Sequence, residues 1–560
     1  MFPPGLRPVL GSPTAGLSVV GLERIPLAMT LGGPRNLPPG AASLLQASDS
    51  KYRDARRDFA RASFWWTMSS FVTWVTNELN PNKVPRITQT SPRIWWNNLE
   101  AGFKWDDNTF TFNQIAHPVQ GALYYNSFRN HGFPFWAGGL RFWESAVFYT
   151  LLGSVAWECC GESQLASLND LITTTIGGAA LGEMTYRTSS WILDDTTPAF
   201  NRDWRETASG ILNPLRFFDR LLTRHLHLMP VNNARGAPEE PPESDYIAAA
   251  GWRSLGDGAD RQGAAFLEAG WRRGSLLMLD DTIQNKPYAL FSVATEVNLG
   301  DEDAPLIPRA QIEGSLYFWD VEGRPGPAEQ RVAEQDPDTA TLHKLLLLHN
   351  LDYFENSAFR YGAQSLGLSL FSNFQRGPFL WRSQLGGDMA ILAAIKSEEA
   401  WRADIEGYQE QDRHYDFTMG PGVRGKVGIA LAKEQGEHRR FIDLSYQYHR
   451  LFTLNGSNGP ITESGTNGGY WDSWHGVHVL GARVKLLDVS DGAWGVDLDY
   501  LGFWRRSTFT NPEIPIERQV VHEHIPQFRI MVTWEERRLR GTPDSDVPGP
   551  IYLPPSIPTL

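Results

Sequence analysis

Residues 441–452 read FIDLSYQYHRLF, with Ile442, Leu444, Tyr446 and Tyr448 on one side of an extended chain and Asp443, Ser445, Gln447 and His449 on the other. A two-residue period over this length describes a strand with one apolar and one polar face. The alternation returns at 494–504 (WGVDLDYLGFW), where Trp494, Val496, Leu498 and Tyr500 oppose Gly495, Asp497 and Asp499, and again at 364–373 (QSLGLSLFSN). It is visible, less cleanly, at 288–297 and 312–321. Roughly twelve such segments fit between Ala264 and Arg537, an even number of long strands that suits a transmembrane β-barrel with its apolar face toward lipid. A soluble carbohydrate-binding β-sandwich is the alternative. Against it, the polar stretches 301–311 and 331–341 suit the external loops of a barrel.

Upstream the period is helical. A helix is expected from about Lys51 to Leu79, closed by Pro81 and Pro85. An aromatic loop with short extended pieces follows over 93–112. Pro118 suits the first position of a second helix, with His117 as its N-cap and Gly121 and Ala122 on a close-packing side. Another helix is expected over about Trp143 to Gly161. The quartet SLND at 167–170 is a capping box that starts the next, in which Gly178 and Gly182 share a face and Glu183 and Arg187 form a surface pair worth about 0.3 kcal/mol. The fold class is therefore α+β, a helical N-terminal domain followed by an antiparallel barrel. The expected divisions are a disordered lead-in at 1–49, helices at 50–230, a linker at 231–260, the barrel at 261–537 and a disordered tail at 538–560.

The composition narrows the function. A net charge of −13 with no basic block argues against a nucleic-acid partner. The two cysteines, Cys159 and Cys160, are adjacent, and neighbouring helical side chains diverge, so no disulfide framework is expected. The first residues are interrupted by prolines and Glu23 and lack a compact basic-then-apolar export signal, so export is expected to be encoded outside this sequence. No G-x-S-x-G elbow, phosphate loop or dinucleotide fingerprint is present, and no cofactor is expected.

Chemistry-bearing residues gather between Asn113 and Arg187. His117, Glu158, Glu162 and Asp170 form a candidate cluster for acid and base work, with Asn113, Gln114 and Asn169 as candidate ligand-binding neighbours. A structural polar network explains the same residues. No metal is expected, because the stretch offers His117 and the loop residue His131 but not two histidines beside a carboxylate.

The segments NQIAHPVQGALYYNSFR, SVAWECCGE, SLNDLITTTIGGAALGE and LNPLRFFDRL resemble the bacterial family known as domain of unknown function 3943. In the second half, LDYFENSAFRYGAQSLGLSL and YDFTMGPGVRGKVGIAL look like its barrel strands. The resemblance runs from about Trp95 to Trp534. Where that family has HPY, this chain has His117, Pro118 and Val119. The resemblance implies an exported protein of the Gram-negative outer membrane, with outer-membrane lipid as a partner. A fainter likeness to VanZ-like membrane proteins would align His117, Glu158, Asn169 or Asp170, and Gly177. The expectation is an outer-membrane barrel whose helical domain is periplasmic or plugs the lumen, with an envelope, lipid-handling or transport role. The alternative is a membrane-embedded enzyme that uses the His117 and Glu158 cluster on a lipid or cell-wall small molecule. The sequence leaves the oligomeric state unknown.

Overall fold

The structure is a computed structural model that describes residues 57–79, 90–193 apart from 107 and 138, 202–223, and the strands between 244 and 538 with parts of their connections. The lead-in, most of the linker, the tail, and His225 and His227 lie outside the described residues.

Twelve antiparallel strands close a barrel in sequence order. They are β1 Ser244–Leu255, β2 Gln262–Arg273, β3 Phe291–Leu299, β4 Arg309–Asp320, β5 Thr341–Glu355 and β6 Arg360–Arg376. The second half is β7 Phe379–Lys396, β8 Tyr415–Ala432, β9 His438–Asn455, β10 Trp474–Val489, β11 Trp494–Phe509 and β12 Gln519–Arg538. Pairing of β1 with β12, Ser244 opposite Arg538 and Leu255 opposite Gln527, removes both edges. The first strand lies earlier than Ala264, inside the stretch read as linker. Its run of small residues, AAAG at 248–251, gives little hydrophobic contrast between its two faces.

Contacts that cross between strands, several of them not neighbours, identify the lumen. Arg424 of β8 reaches Asp352 of β5 and Asp388 of β7, each at 2.5 Å, and the Phe354 ring of β5 lies 5.2 Å from Phe503 of β11. Arg483 of β10 meets both carboxylate oxygens of Glu268 on β2 at 2.8 and 2.9 Å, and Arg529 joins Glu296 and Asp499. An apolar cluster that includes Phe354, Phe359, Tyr361, Leu451, Val479, Leu501 and Phe503 fills one end. The outward positions are those of a lipid-facing wall, among them Leu385, Leu444, Leu498, Phe528 and Ile530. In the 441–452 run, Leu444 and Tyr446 face out while Gln447 and His449 face in, as the alternation requires.

The N-terminal part contains, among the described residues, α1 Phe59–Leu79, α2 Pro92–Ala101, α3 His117–Arg129, α4 Ala146–Ala156, α5 Leu168–Ile172, α6 Gly178–Ile192, α7 Arg202–Leu212 and α8 Pro214–Leu222. Three π-helical turns adjoin them, at Phe112–Ala116, Trp157–Gly161 and Thr173–Gly177. α2 replaces part of the expected aromatic loop. Its signal was present: Ser91 caps it by accepting from the Ile94 N–H, and Pro92 takes the first turn. α3 and α6 cross backbone to backbone, since a methyl on Gly121 would stand 1.9 Å from the Thr174 carbonyl oxygen and one on Gly178 2.4 Å from the Gly121 Cα.

The described helices do not plug the lumen. Because Asp352 and Phe354 face inward, Tyr353 and Glu355 face outward, and Phe110 stacks on Tyr353 at 5.2 Å while the Thr111 hydroxyl donates to Glu355 at 2.8 Å. Tyr415 and Phe417 face outward for the same reason and receive Asn113 and Trp105. A shared apolar cluster seals this seam, with Phe110, Ala180 and Met184 from the helices and Ile312, Leu351, Tyr353, Leu392, Ala394 and Phe417 from the wall. The lumen-plugging expectation is corrected on this point. Among the described residues no helix is long and apolar enough to cross a membrane.

The two faces of the wall predict different sensitivities. Arg424→Ala leaves Asp352 and Asp388 buried without their cation, a loss of about 3–5 kcal/mol, whereas Leu385→Ala on the exposed face costs far less. On gels of the outer-membrane fraction, the folded band of Arg424→Ala should convert to the unfolded band at a clearly lower temperature than wild type, and that of Leu385→Ala close to it.

Candidate functional site

Three helix starts and one loop converge beside β6 and β8. The π-helical turn at Phe112–Ala116 carries Asn113 and Gln114 and runs into α3, so His117 is a helical residue and not the cap. Its imidazole is therefore released from capping and faces Asp170, with Nε2 3.0 Å from Asp170 Oδ1. Ser167 caps α5 as expected, its hydroxyl accepting from the Asp170 N–H at 3.2 Å. The second π-helical turn carries Glu158, whose Oε2 accepts the Ser167 N–H at 2.8 Å. Such turns widen a helix locally and recur at functional sites.

Asp106, outside the stretch singled out in the sequence, is the missing member. Its Oδ1 accepts from Asn169 Nδ2 at 2.6 Å and from Asn113 Nδ2 at 3.1 Å. Asn169 Nδ2 also reaches Asp170 Oδ1 at 2.8 Å, and Asn169 Oδ1 accepts from the Ser167 hydroxyl and the Asp106 N–H. The only sequence signal for Asp106 is its place in WDDN, next to Trp105. Asp106, His117 and Asp170 bring one donor atom each within 4.8 Å of one another.

Burial dominates the electrostatics. It holds the His117 imidazole down to about 4, against the pull of Asp106, so the ring is neutral near pH 7. Burial followed by the neighbouring Asp170 lifts Asp106 to about 7. Burial and Glu162 lift Asp170 to about 7, burial and Asp106 lift Glu162 to about 8, and Glu158 is pushed well above the carboxylate range by burial, Asp170 and Glu162. The cluster thus joins a neutral base to carboxyl groups that hold protons at neutral pH, an arrangement able to exchange a proton.

On the wall side, Gln364 of β6 abuts Gly177 and Pro118, and Gln114 lies over Gly362. Both Gln364 amide atoms, Gln114 Nε2, Asn113 Oδ1 and His117 Nε2 have no hydrogen-bond partner among the described residues. All four side chains are more than nine-tenths buried. Each such atom costs about 1–3 kcal/mol until a ligand or water meets it. Phe112, exposed, sets its ring edge-on to His117 at 5.1 Å, and Val119, two residues further along α3, is also exposed. The predicted site residues are therefore brought together. Glu162, beyond the end of its helix, joins through charge alone.

Residues 102–215 match the family described as "Domain of unknown function (DUF3943)". That match covers the site and agrees with the resemblance read from the sequence. No curated protein matches the chain by sequence. Among solved structures, the NanC porin is 10% identical, with 52% of this chain and 98% of that chain covered at a TM-score of 0.22. OmpT, an outer-membrane protein of Vibrio cholerae, is 10% identical over 52% of this chain and 99% of that one at 0.19. The CymD monoaromatic hydrocarbon channel is 7% identical over 53% and 88% at 0.17.

Beside the site, Glu183 organises the helices. Expected as a surface residue, it is fully buried and accepts from Tyr125 at 2.6 Å and from Arg129 at 2.7 and 3.2 Å, with Arg187 Nε at 2.9 Å. Arg187 in turn donates to the Pro287 carbonyl at 2.9 Å, tying α6 to the segment before β3. Burial raises the Glu183 carboxyl, but Arg129 and Arg187 outweigh it and hold it down to about 2. Its folded value lies below its unfolded one, so its contribution is present above about 4.5 and is lost as pH falls toward 2. Glu183→Gln should lower stability at pH 7 by about 3–5 kcal/mol through two uncompensated arginines. In acid titrations of thermal unfolding, the gap between wild type and variant should close from about pH 4.5 downward.

Proposed function

We propose that this chain is a lipid-handling protein of the Gram-negative outer membrane whose working site is the His117 cluster, reached from the bilayer along the seam between the helices and the outer wall. The barrel then serves as anchor and as one wall of the site. The observation that carries this reading is a pair of buried amides at the seam, Gln364 and Gln114, with atoms that have no hydrogen-bond partner among the described residues. Gln364 and Gln114 stand on the lipid-side face, beside exposed Phe112 and Val119, while the lumen is crossed by ion pairs and filled by aromatic residues at one end. A lipid offers what such a site needs, a polar headgroup for the amides and His117 and acyl chains for the aromatic rim. The neutral His117, paired with Asp170, is placed to take a proton from a headgroup hydroxyl or a water and to return it.

One observation favours a second reading. A lumenal cavity of about 290 Å³ is lined by Glu268, Arg309, Glu313, Asp352, Arg424 and Arg483. Charged walls of both signs suit a small polar solute, bound or in passage.

Native mass spectrometry of the detergent-purified protein and conductance in planar bilayers separate the two. Under the first reading, wild type carries co-purified lipid, Gln364→Leu and His117→Gln lose it while remaining folded, and the bilayers show no steady conductance. Lipid-free wild-type protein that conducts steadily would sink it in favour of the lumenal role. If lipid is bound, extracts of cells producing wild type, but not His117→Gln, should show a changed headgroup composition.

A further inference from the structure

We infer that Asp106, His117 and Asp170 form a binding site for one first-row divalent cation, of the manganese or zinc kind. Three observations carry this. The three side chains come from separate parts of the chain and bring one donor atom each within 4.8 Å of the others. His117, only 8% exposed, points Nε2 at Asp170 Oδ1 from 3.0 Å, yet that nitrogen is in hydrogen-bond geometry with nothing among the described residues. Two ligands bound at about 2.1 Å and about a right angle to each other stand about 3 Å apart, so the pair already has the separation that a shared ion requires. The third ligand needs at most a small inward movement.

The surroundings fit a cation as well. Asn169 Nδ2 holds Asp106 Oδ1 at 2.6 Å and Asp170 Oδ1 at 2.8 Å, fixing both carboxylates as outer-shell groups do around bound metals. Asn113 grips Asp106 from the other side. The largest charged influences on the four carboxyl groups are one another and, for Asp106, His117, with no lysine or arginine among them. An imidazole with two carboxylates suits manganese, iron or zinc, whereas magnesium and calcium prefer all-oxygen sets. Phe112 sets its ring edge-on to His117 at 5.1 Å, and a phosphate or carboxylate could complete the coordination of such an ion. The inference stands without the lipid reading, because a purely structural ion would satisfy it.

The test uses the full-length protein in detergent, stripped with chelator and titrated with Mn²⁺ while the free ion is followed by its paramagnetic resonance signal, then repeated with Zn²⁺ in competition. Wild type should bind about one equivalent, and thermal unfolding should move upward on saturation. Asp106→Asn and Asp170→Asn should lose the site, and Asn169→Ala should weaken it by about 10–100-fold as an outer-shell change. Circular dichroism and gel heat-modifiability show whether each variant is folded, and His117→Gln supplies an independent variant should an aspartate change unfold the helices. Absence of binding by wild type would overturn the inference. So would binding that these variants leave unchanged, or a site that prefers Mg²⁺ or Ca²⁺. Failure of lipid co-purification with Mn²⁺ binding intact would remove the lipid reading and leave this one standing.

Discussion

The hydrogen bond from Asn113 Nδ2 to the Tyr415 hydroxyl, 2.5 Å long and fully buried, joins the two halves of the molecule. Tyr415 can receive it only because Asp416, its neighbour, faces the lumen, and strand alternation then sends Tyr415 outward. The same Asn113 amide reaches Asp106, and the Tyr415 hydroxyl passes on to the Asn108 carbonyl at 2.8 Å. One side chain thus fixes the loop that carries Asp106, the π-helical turn that precedes His117, and the barrel wall. The geometry of the site follows from the parity of β8.

Parity was also what the sequence stated most clearly. In the 441–452 and 494–504 runs the inward face is polar except at Leu451, Leu501 and Phe503, which join the apolar cluster at one end of the lumen. One face meets lipid and stays apolar, the other meets a charged lumen, and the contrast survives in every register. β1 escaped the reading because its alanines and glycine face both ways without contrast. The helical domain was legible in its caps and glycines: Ser167, Gly121 and Gly178 do what their spacing indicates. Glu183 was misjudged because an i, i+4 pair looks the same on a surface as in a core. Its burial depends on Arg129, more than fifty residues away.

The site was legible in part for a similar reason. His117, Glu158, Asp170, Asn113 and Asn169 lie in one recognisable stretch, and they do meet. Asp106 lies in a segment that reads as loop, and nothing local marks it. Its membership rests on Asn169 reaching back 63 residues, a tertiary fact. Three interruptions of the i→i+4 pattern, each beside a cluster member, were equally silent, since a π-helical turn has no composition of its own.

The outer wall supplies an argument about how the two halves depend on each other. Elsewhere its outward side chains are mostly leucine, valine, phenylalanine and tryptophan, with the exposed pairs Tyr446–His478 and Tyr500–His524, but beneath the helices they include His349, Tyr353, Glu355, Gln364 and Tyr415, all buried. A carboxylate and an imidazole on a bare lipid face cost several kcal/mol between them near mid-depth, falling toward the interface. The helices satisfy part of that patch directly, Thr111 on Tyr353 and Glu355 and Asn113 on Tyr415. Tyr288, in the segment before β3, meets His349 at 3.0 Å. The wall without the helices would therefore present polar groups to lipid, and the helices without the wall would expose Phe110, Ala180 and Met184 to water. Each half covers a surface that the other cannot leave open, which makes the seam a structural necessity before it is a site. Gln364 is the exception that separates the two roles, because it stands in the seam with both ends of its amide unmatched among the described residues.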